Sequence, residues 1–168
     1  EKFLARLPDA PGIDYSGRYP YLSDASLQEL WLHITNRCNL NCSHCLFSSG
    51  PESSEELSAA QILQRAEEAH QLGCRIFALT GGEPLCHPEF DTILSGLLAL
   101  PDSRLVILSN GLLLTERLID RCDMSRVSLQ ISVDGMEQQH DAIRGKGSFT
   151  KLQQQLLALK QRGLPFTL

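Results

Sequence analysis

Residues 34–45, ITNRCNLNCSHC, place three cysteines within a short segment in the spacing C-x3-C-x2-C. They directly follow an apolar run that we expect to form a buried strand at about 30–35. A loop at the end of a strand can turn the thiolates of Cys38, Cys42 and Cys45 towards one point. Three thiolates can hold three irons of a [4Fe–4S] cluster and leave the fourth iron without a protein ligand. An open metal position is typical of a reactive site.

The alternative for these cysteines is a zinc site with His44 as the fourth ligand. Zinc accepts three cysteines and one histidine, but its usual sites take their ligands from two separated pairs. His44 is directly beside Cys45 and is therefore poorly placed to complete a tetrahedron. We favour the iron–sulfur interpretation.

The composition limits the classes of protein to which this chain can belong. A chain of 168 residues with 42% hydrophobic and 21% charged residues can form one soluble domain with a sizeable core. The net charge of −5 predicts no general attraction to nucleic acid. No apolar run approaches the roughly 20 residues of a membrane span. The six cysteines do not resemble a secreted disulfide framework, so we expect a cytoplasmic protein.

The ends of the chain suggest that it is part of a longer protein. It begins at Glu1 without an initiator methionine and ends at Leu168 within an apolar run. Residues 1–28 are rich in Pro, Gly, Tyr, Asp and Ser without periodicity, so we expect an extended arm or linker there. We expect one domain over 29–168.

The rest of the chain alternates between strand and helix patterns. Strands are expected at about 30–35, 75–80, 105–109 and 127–133, with a fifth beginning at 165–168. Helices are expected from the N-cap Ser58 to about Gly73 and at about 88–100, 115–122 and 148–162. This order predicts βαβ units and a parallel sheet, an α/β fold.

The unusual motifs all follow strands, at the edge where parallel α/β folds carry their chemistry. They are G-G-E-P at 81–84, S-N-G at 109–111, S-x-D-G at 132–135 and H-D-A-I-R-G at 140–145. Three of the four have a simpler explanation: a strand-to-helix turn for G-G-E-P, an Asn-Gly turn for S-N-G, and a solvated surface residue for Arg144. Gln130, Ser132 and Asp134 alternate and so share one face of a strand. Polar groups on the inner face of a buried strand need partners.

The cysteine spacing, the flanking T-N-R-C-N-L and the ordered later motifs together resemble the radical S-adenosylmethionine (radical SAM) superfamily. The resemblance is nearest to its SPASM-related branch of peptide and cofactor maturases. It implies a partial (β/α)6 barrel with parallel strands, truncated here at about the fifth strand. It also implies that His44 packs over a cluster held by the three cysteines.

The resemblance implies SAM contacts as well. The glycine motif would hold the methionyl ammonium through backbone carbonyls, Ser132 would reach the ribose or carboxylate, and Arg144 would clamp the methionyl carboxylate. The complete expected set is Gly81, Gly82, Glu83, Ser109, Asn110, Ser132 and Arg144. Gln130 and Asp134 are weaker candidates, and we assign no catalytic residue. Cys74, Cys86 and Cys122 are expected to be small buried hydrophobes.

The implied activity is reductive cleavage of SAM to a 5′-deoxyadenosyl radical, which abstracts hydrogen from a substrate. A peptide or cofactor precursor undergoing maturation is the expected substrate, and a flavodoxin or ferredoxin the expected electron donor. Haem- or quinone-type cofactor synthesis is the alternative enzyme function. A non-catalytic iron–sulfur or zinc domain is the alternative of another class. The sequence does not identify the substrate.

Overall fold

The computed structural model describes residues 27–119 and 124–168. The strands are β1 Glu29–His33, β2 Ile76–Thr80, β3 Arg104–Ser109, β4 Val127–Ile131 and β5 Phe166–Thr167. The α-helices are α1 Ala59–Gln71, α2 Phe90–Ala99, α3 Glu137–Arg144 and α4 Ser148–Gln161. Two 3₁₀ turns, Pro84–Cys86 and Met124–Arg126, and a π-helical segment, Thr115–Ile119, complete the elements. The arm predicted at 1–28 lies almost wholly outside the described residues.

The five strands form one parallel sheet in the order β1-β2-β3-β4-β5. Each strand lies beside its predecessor, so every crossover moves in the same direction across the sheet. This is the strand order of a β/α barrel, whereas a doubly wound sheet reverses direction partway. The predicted α/β fold with parallel strands is confirmed, and β5 contributes only two residues.

One face of the sheet forms the hydrophobic core. Alternate residues point to this face, and the register aligns a row across four strands: Leu32, Leu79, Ile107 and Leu129. All four are at most 7% exposed and belong to a cluster that includes apolar residues of α1, α2 and α4. Burial of these side chains is the main stabilising contribution to the sheet.

The other face is more open than the sequence suggested. Trp31, expected within a buried strand, is 55% exposed. Gln130, expected on an inner face that demands partners, is also exposed. The prediction that Trp31 is buried was wrong, because Trp31 alternates away from the face on which the helices pack. Gln130 lies on that same open face, and its place in the site stays a prediction. No helix among the described residues is long and apolar enough to cross a membrane.

The helices agree with the sequence where local signals are strong. Ser58 caps α1 in a capping box: its Oγ accepts from the Gln61 N–H at 3.3 Å, and Gln61 Oε1 accepts from the Ser58 N–H at 3.0 Å. The helix predicted at 115–122 is π-helical over 115–119, and its remainder, with Cys122, lies outside the described residues. The sequence did not predict α3, which begins after Met136 without a side-chain cap.

Candidate cluster and cofactor site

The cysteine loop leaves the C-terminal end of β1 and is closed at its base by backbone hydrogen bonds. The Leu57 N–H donates to the Ile34 carbonyl at 3.1 Å, and the Cys38 N–H donates to the Gly50 carbonyl at 3.1 Å. Within the loop, the Cys45 N–H donates to the Cys42 carbonyl at 3.2 Å. These bonds hold the loop against the sheet edge where the later motifs emerge.

A cavity of about 290 Å³ lies at this edge and brings together residues from the four loops that follow β1 to β4 and from the end of α3. Its walls include every predicted site residue except Glu83: Cys38, Cys42, Cys45, Gly81, Gly82, Ser109, Asn110, Ser132 and Arg144. Positions as far apart in sequence as 38 and 144 therefore line one cavity.

The three cysteines surround the cavity without converging on a single point. Within 27–119 and 124–168, no three His, Cys, Asp or Glu side chains are close enough to share one metal ion. Thiolates bound to one zinc are each about 2.3 Å from it, hence within about 4.6 Å of one another. Thiolates on different irons of a cluster need not be so close. His44 Nε2 also lies 3.3 Å from Asp134 Oδ1, which disfavours the zinc alternative.

The three thiols differ in their electrostatic surroundings. Burial raises the pKa of Cys38 to about 11, and burial also raises the pKa of Cys42 against the opposing charge of Arg144. Burial alone would raise the pKa of Cys45, but hydrogen bonds from backbone N–H groups, first that of Ser49, outweigh it and lower the pKa. Because the thiolate is the form that binds metal, Cys45 is the most readily available ligand of the three.

The two glycines after β2 pack directly beneath the cysteine loop. A Cβ on Gly81 would lie 2.4 Å from the Thr35 carbonyl oxygen, and Gly81 has a φ of +152°. A Cβ on Gly82 would lie 2.6 Å from the Arg37 carbonyl oxygen. We predicted these glycines for close approach of a ligand to the backbone. The structure shows that they are also required by close approach of the cysteine loop.

Glu83 is buried beneath the cavity and does not line it. Its carboxylate accepts hydrogen bonds from the Ser109 Oγ at 2.9 Å, the Asn110 N–H at 2.7 Å and the Leu85 N–H at 3.2 Å. Burial raises the pKa of Glu83 to about 7, against these hydrogen bonds. Its side chain therefore ties the glycine loop to the turn after β3.

Asn110 links that turn to the cysteine loop. Its Nδ2 donates to Asn39 Oδ1 at 2.7 Å and lies 3.9 Å from Cys38 Sγ. Its Oδ1 accepts from the Leu112 N–H at 3.1 Å. Sequence reasoning included Asn110 but not Asn39, although Asn39 belongs to the same T-N-R-C-N-L segment. The pairing of the two amides was not visible without the fold.

Arg144 reaches the cavity from the end of α3, and its side chain is 11% exposed. Its Nε donates to Asp134 Oδ2, so Asp134 contacts both Arg144 and His44. Burial alone would raise the pKa of Asp134, but the hydrogen bond and charge of Arg144, with a smaller effect of His44, lower it. The Ser43 N–H also donates to the Ile143 carbonyl at 3.1 Å. The short helix α3 thereby holds the cysteine loop and the arginine together.

The chain is similar to several known proteins. The sequence profile of the Radical SAM superfamily matches residues 32–168. The chain is 34% identical over 136 residues to the sporulation killing factor maturation protein SkfB of Bacillus subtilis, covering 80% of this chain and 33% of SkfB. It is 33% identical over 138 residues to the AdoMet-dependent heme synthase of Methanosarcina barkeri, covering 79% of this chain and 39% of the synthase.

A solved structure shares the fold. Streptococcus suis SuiB bound to S-adenosylmethionine superposes with a TM-score of 0.72 at 16% identity, over 84% of this chain and 33% of SuiB. SuiB has also been solved with its precursor peptide SuiA. The chain spans between about a third and two fifths of the length of these proteins. The profile match, the two curated relatives and the parallel sheet show that the chain belongs to the radical SAM superfamily of enzymes.

Proposed function

We propose that this chain is the core, over 29–168, of an enzyme that binds a [4Fe–4S] cluster through Cys38, Cys42 and Cys45 and SAM beside it. The observation that carries the proposal is the single cavity in which these cysteines meet the glycine loop, the turn after β3, Ser132 and Arg144. When bound, the cluster and SAM would supply reductive cleavage of SAM and abstraction of hydrogen from a substrate.

The residues present fit these groups. Thiols are the usual iron–sulfur ligands, and three of them around one cavity match a cluster with one open iron. The Ser49 hydroxyl is buried in the cavity wall without a hydrogen-bond partner among the described residues, as expected of a wall that contacts a bound polar group.

Arg144 and the glycine loop are assigned to the two charged ends of the methionyl part of SAM. Asp134 bonds Arg144 at Nε and so orients the guanidinium, whose terminal N–H groups we assign to the SAM carboxylate. The backbone of Gly81 and Gly82 is assigned to the ammonium group. Ser132, which is exposed within the same cavity, is assigned to the ribose or carboxylate.

Three of the remaining predicted residues have side chains that are already hydrogen-bonded within the protein: Glu83, Ser109 and Asn110. Ser109 Oγ donates to Glu83 and accepts from the Gly111 N–H at 2.9 Å, and the amide of Asn110 is engaged at both ends. We therefore assign Glu83, Ser109 and Asn110 the role of holding the cavity wall in place. Their contact with SAM, which the resemblance implies without naming the atoms, stays a prediction.

We infer a peptide or cofactor precursor as the substrate. The maturation protein SkfB supports a maturation reaction, and the heme synthase supports cofactor synthesis as the second candidate. A flavodoxin- or ferredoxin-type donor would supply the electron. The described cysteines are all free thiols, which supports a reducing compartment such as the cytoplasm.

Anaerobic reconstitution with iron and sulfide tests the proposal. We expect about four irons per chain, loss of the cluster in Cys38→Ala, Cys42→Ala and Cys45→Ala, and retention in the matched control Cys74→Ala. SAM should alter the paramagnetic resonance of the reduced cluster. Equal iron loss from Cys74→Ala would refute the ligand assignment, and a colourless, air-stable zinc protein would refute the function.

A further inference from the structure

Ser49 is a buried polar residue of the cavity wall to which the proposed function assigns no specific partner. It is 2% exposed, and its Oγ has no hydrogen-bond partner within the described residues. Buried hydroxyl groups are normally paired because an unpaired one loses its hydration without compensation. Its position inside the predicted cofactor cavity suggests that the hydroxyl gains a partner when the cofactors bind.

The contacts of Ser49 indicate which atom that partner is. Its backbone N–H already donates to Cys45 Sγ at 3.3 Å. Its Cβ packs against the glycine loop, since a Cβ on Gly82 would lie only 2.9 Å from it. The hydroxyl therefore belongs to a residue fixed on one side by the glycine loop and on the other by a cluster cysteine. The N–H bond keeps the two residues together, but the hydroxyl itself makes no hydrogen bond to the sulfur in this structure.

We propose that in the cluster-loaded protein the Ser49 hydroxyl donates a hydrogen bond to Cys45 Sγ and thereby raises the reduction potential of the cluster. The inference rests on the proposed function, because it requires Cys45 to be a cluster ligand. Together with the Ser49 N–H, the hydroxyl gives this sulfur two donors from one residue.

The direction of the effect follows from charge. Reduction adds one negative charge to the cluster and its thiolates, so a donor to a ligand sulfur stabilises the reduced form more than the oxidised form. Hydrogen bonds to the sulfurs are among the factors that set cluster potentials. Ser49 is thus a tuning residue that acts through Cys45 and takes no part in the chemistry.

The test compares Ser49→Ala with Ser48→Ala. Ser48 is the adjacent serine, is exposed, and keeps its Cβ in the alanine variant, so its φ of +51° is equally strained in both forms. Two quantities are measured: the thermal midpoint of each apoprotein, and the reduction midpoint of each reconstituted cluster by paramagnetic resonance titration.

We expect the apoprotein of Ser49→Ala to melt at the same temperature as the wild type or higher, because a hydroxyl without a partner is removed. Its cluster should form in the same yield but titrate at a more negative potential. At a fixed potential the ratio of reduced to oxidised cluster should fall roughly fivefold, the effect of one lost hydrogen bond. Ser48→Ala should change neither quantity.

Three results would overturn the inference alone: an unchanged potential in Ser49→Ala, a weaker SAM affinity at unchanged potential, or a lower melting temperature of its apoprotein. The second result would mean that the hydroxyl contacts SAM. The third would mean that the hydroxyl already has a hydrogen-bond partner in the apoprotein. Failure of the wild type to form any cluster would refute the proposed function and the inference together. The apoprotein comparison remains decisive if the variant loads poorly, since it needs no cluster.

Discussion

Replacing Glu83 by glutamine should change how the stability of the apoprotein depends on pH. The Glu83 carboxyl is fully buried, and its pKa is about 7 in the folded chain against 4.5 for an ordinary glutamate. A carboxyl whose pKa is raised by folding binds protons more tightly in the native state. The wild type therefore loses stability as the pH rises from about 4.5 to 7, and Glu83→Gln lacks this loss.

The magnitude follows from linkage. The shift from 4.5 to about 7 corresponds to about 3 kcal/mol at full ionisation, using 1.36 kcal/mol per pKa unit. Most of this loss of stability occurs between about pH 5 and 8. Over that range the free energy of unfolding of the wild type should fall by about 2–3 kcal/mol relative to Glu83→Gln. At low pH we expect a constant offset between the two proteins, because the amide NH2 of glutamine cannot accept one of the two backbone N–H groups that the carboxyl oxygens accept. The test is therefore the pH-dependent part of the difference.

Urea denaturation at several pH values measures this difference, and subtraction of the two profiles cancels the titration of all other groups. Glu67→Gln, on the exposed side of α1, is the control, and its profile should parallel that of the wild type. Parallel profiles for Glu83→Gln and the wild type would refute the reasoning. They would mean that the carboxyl is hydrated in solution or that its hydrogen bonds fully offset its burial.

Three further changes test other parts of the site and fold. Gly81→Ala should lower the free energy of unfolding by about 1–3 kcal/mol more than Gly145→Ala. Gly145 also has a positive φ but has nothing within 4 Å of an added Cβ, so equal losses would show that the cysteine loop tolerates the clash. Asp134→Asn should weaken SAM binding by roughly 5- to 30-fold in an equilibrium titration, with iron content unchanged, because Arg144 loses a charged partner. An unaltered affinity for SAM would mean that Asp134 does not contribute to SAM binding. Ser58→Ala should cost about 1 kcal/mol in urea denaturation through loss of the capping box, and no loss would mean that tertiary packing alone sets the start of α1.

The elements that the sequence predicted are those specified by local chemistry. Ser58 and Gln61 contain both halves of a capping box within four residues, and Gly73, with a φ of +97°, can end a helix without strain. The edge of the sheet to which the motifs belong was also predictable, because the loops that follow parallel strands emerge on the same side. That is why most of the predicted site residues line one cavity.

The features that the sequence did not predict depend on distant pairings or on the absence of a local signal. Helix α3 has no side-chain cap, so its position depends on tertiary contacts with the cysteine loop and with α4. The exposure of Trp31 depends on which face of the sheet the helices cover. The hydrogen bond from Ser109 to the Glu83 carboxylate joins residues 26 positions apart. It could be inferred only once β2 and β3 were known to be neighbours.

These distant pairings connect the loops of the site in series. The glycine loop is bonded to the turn after β3 through Glu83, that turn to the cysteine loop through Asn110 and Asn39, and the cysteine loop to α3 through Asp134 and its two partners. A displacement of any one loop therefore shifts the groups assigned to SAM together with those assigned to the cluster. In a reaction that requires the two cofactors in direct contact, positional errors of this kind are costly. We therefore expect the buried polar side chains assigned to the cavity wall, such as Glu83 and Asn110, to matter for the proposed chemistry as well as the cysteines.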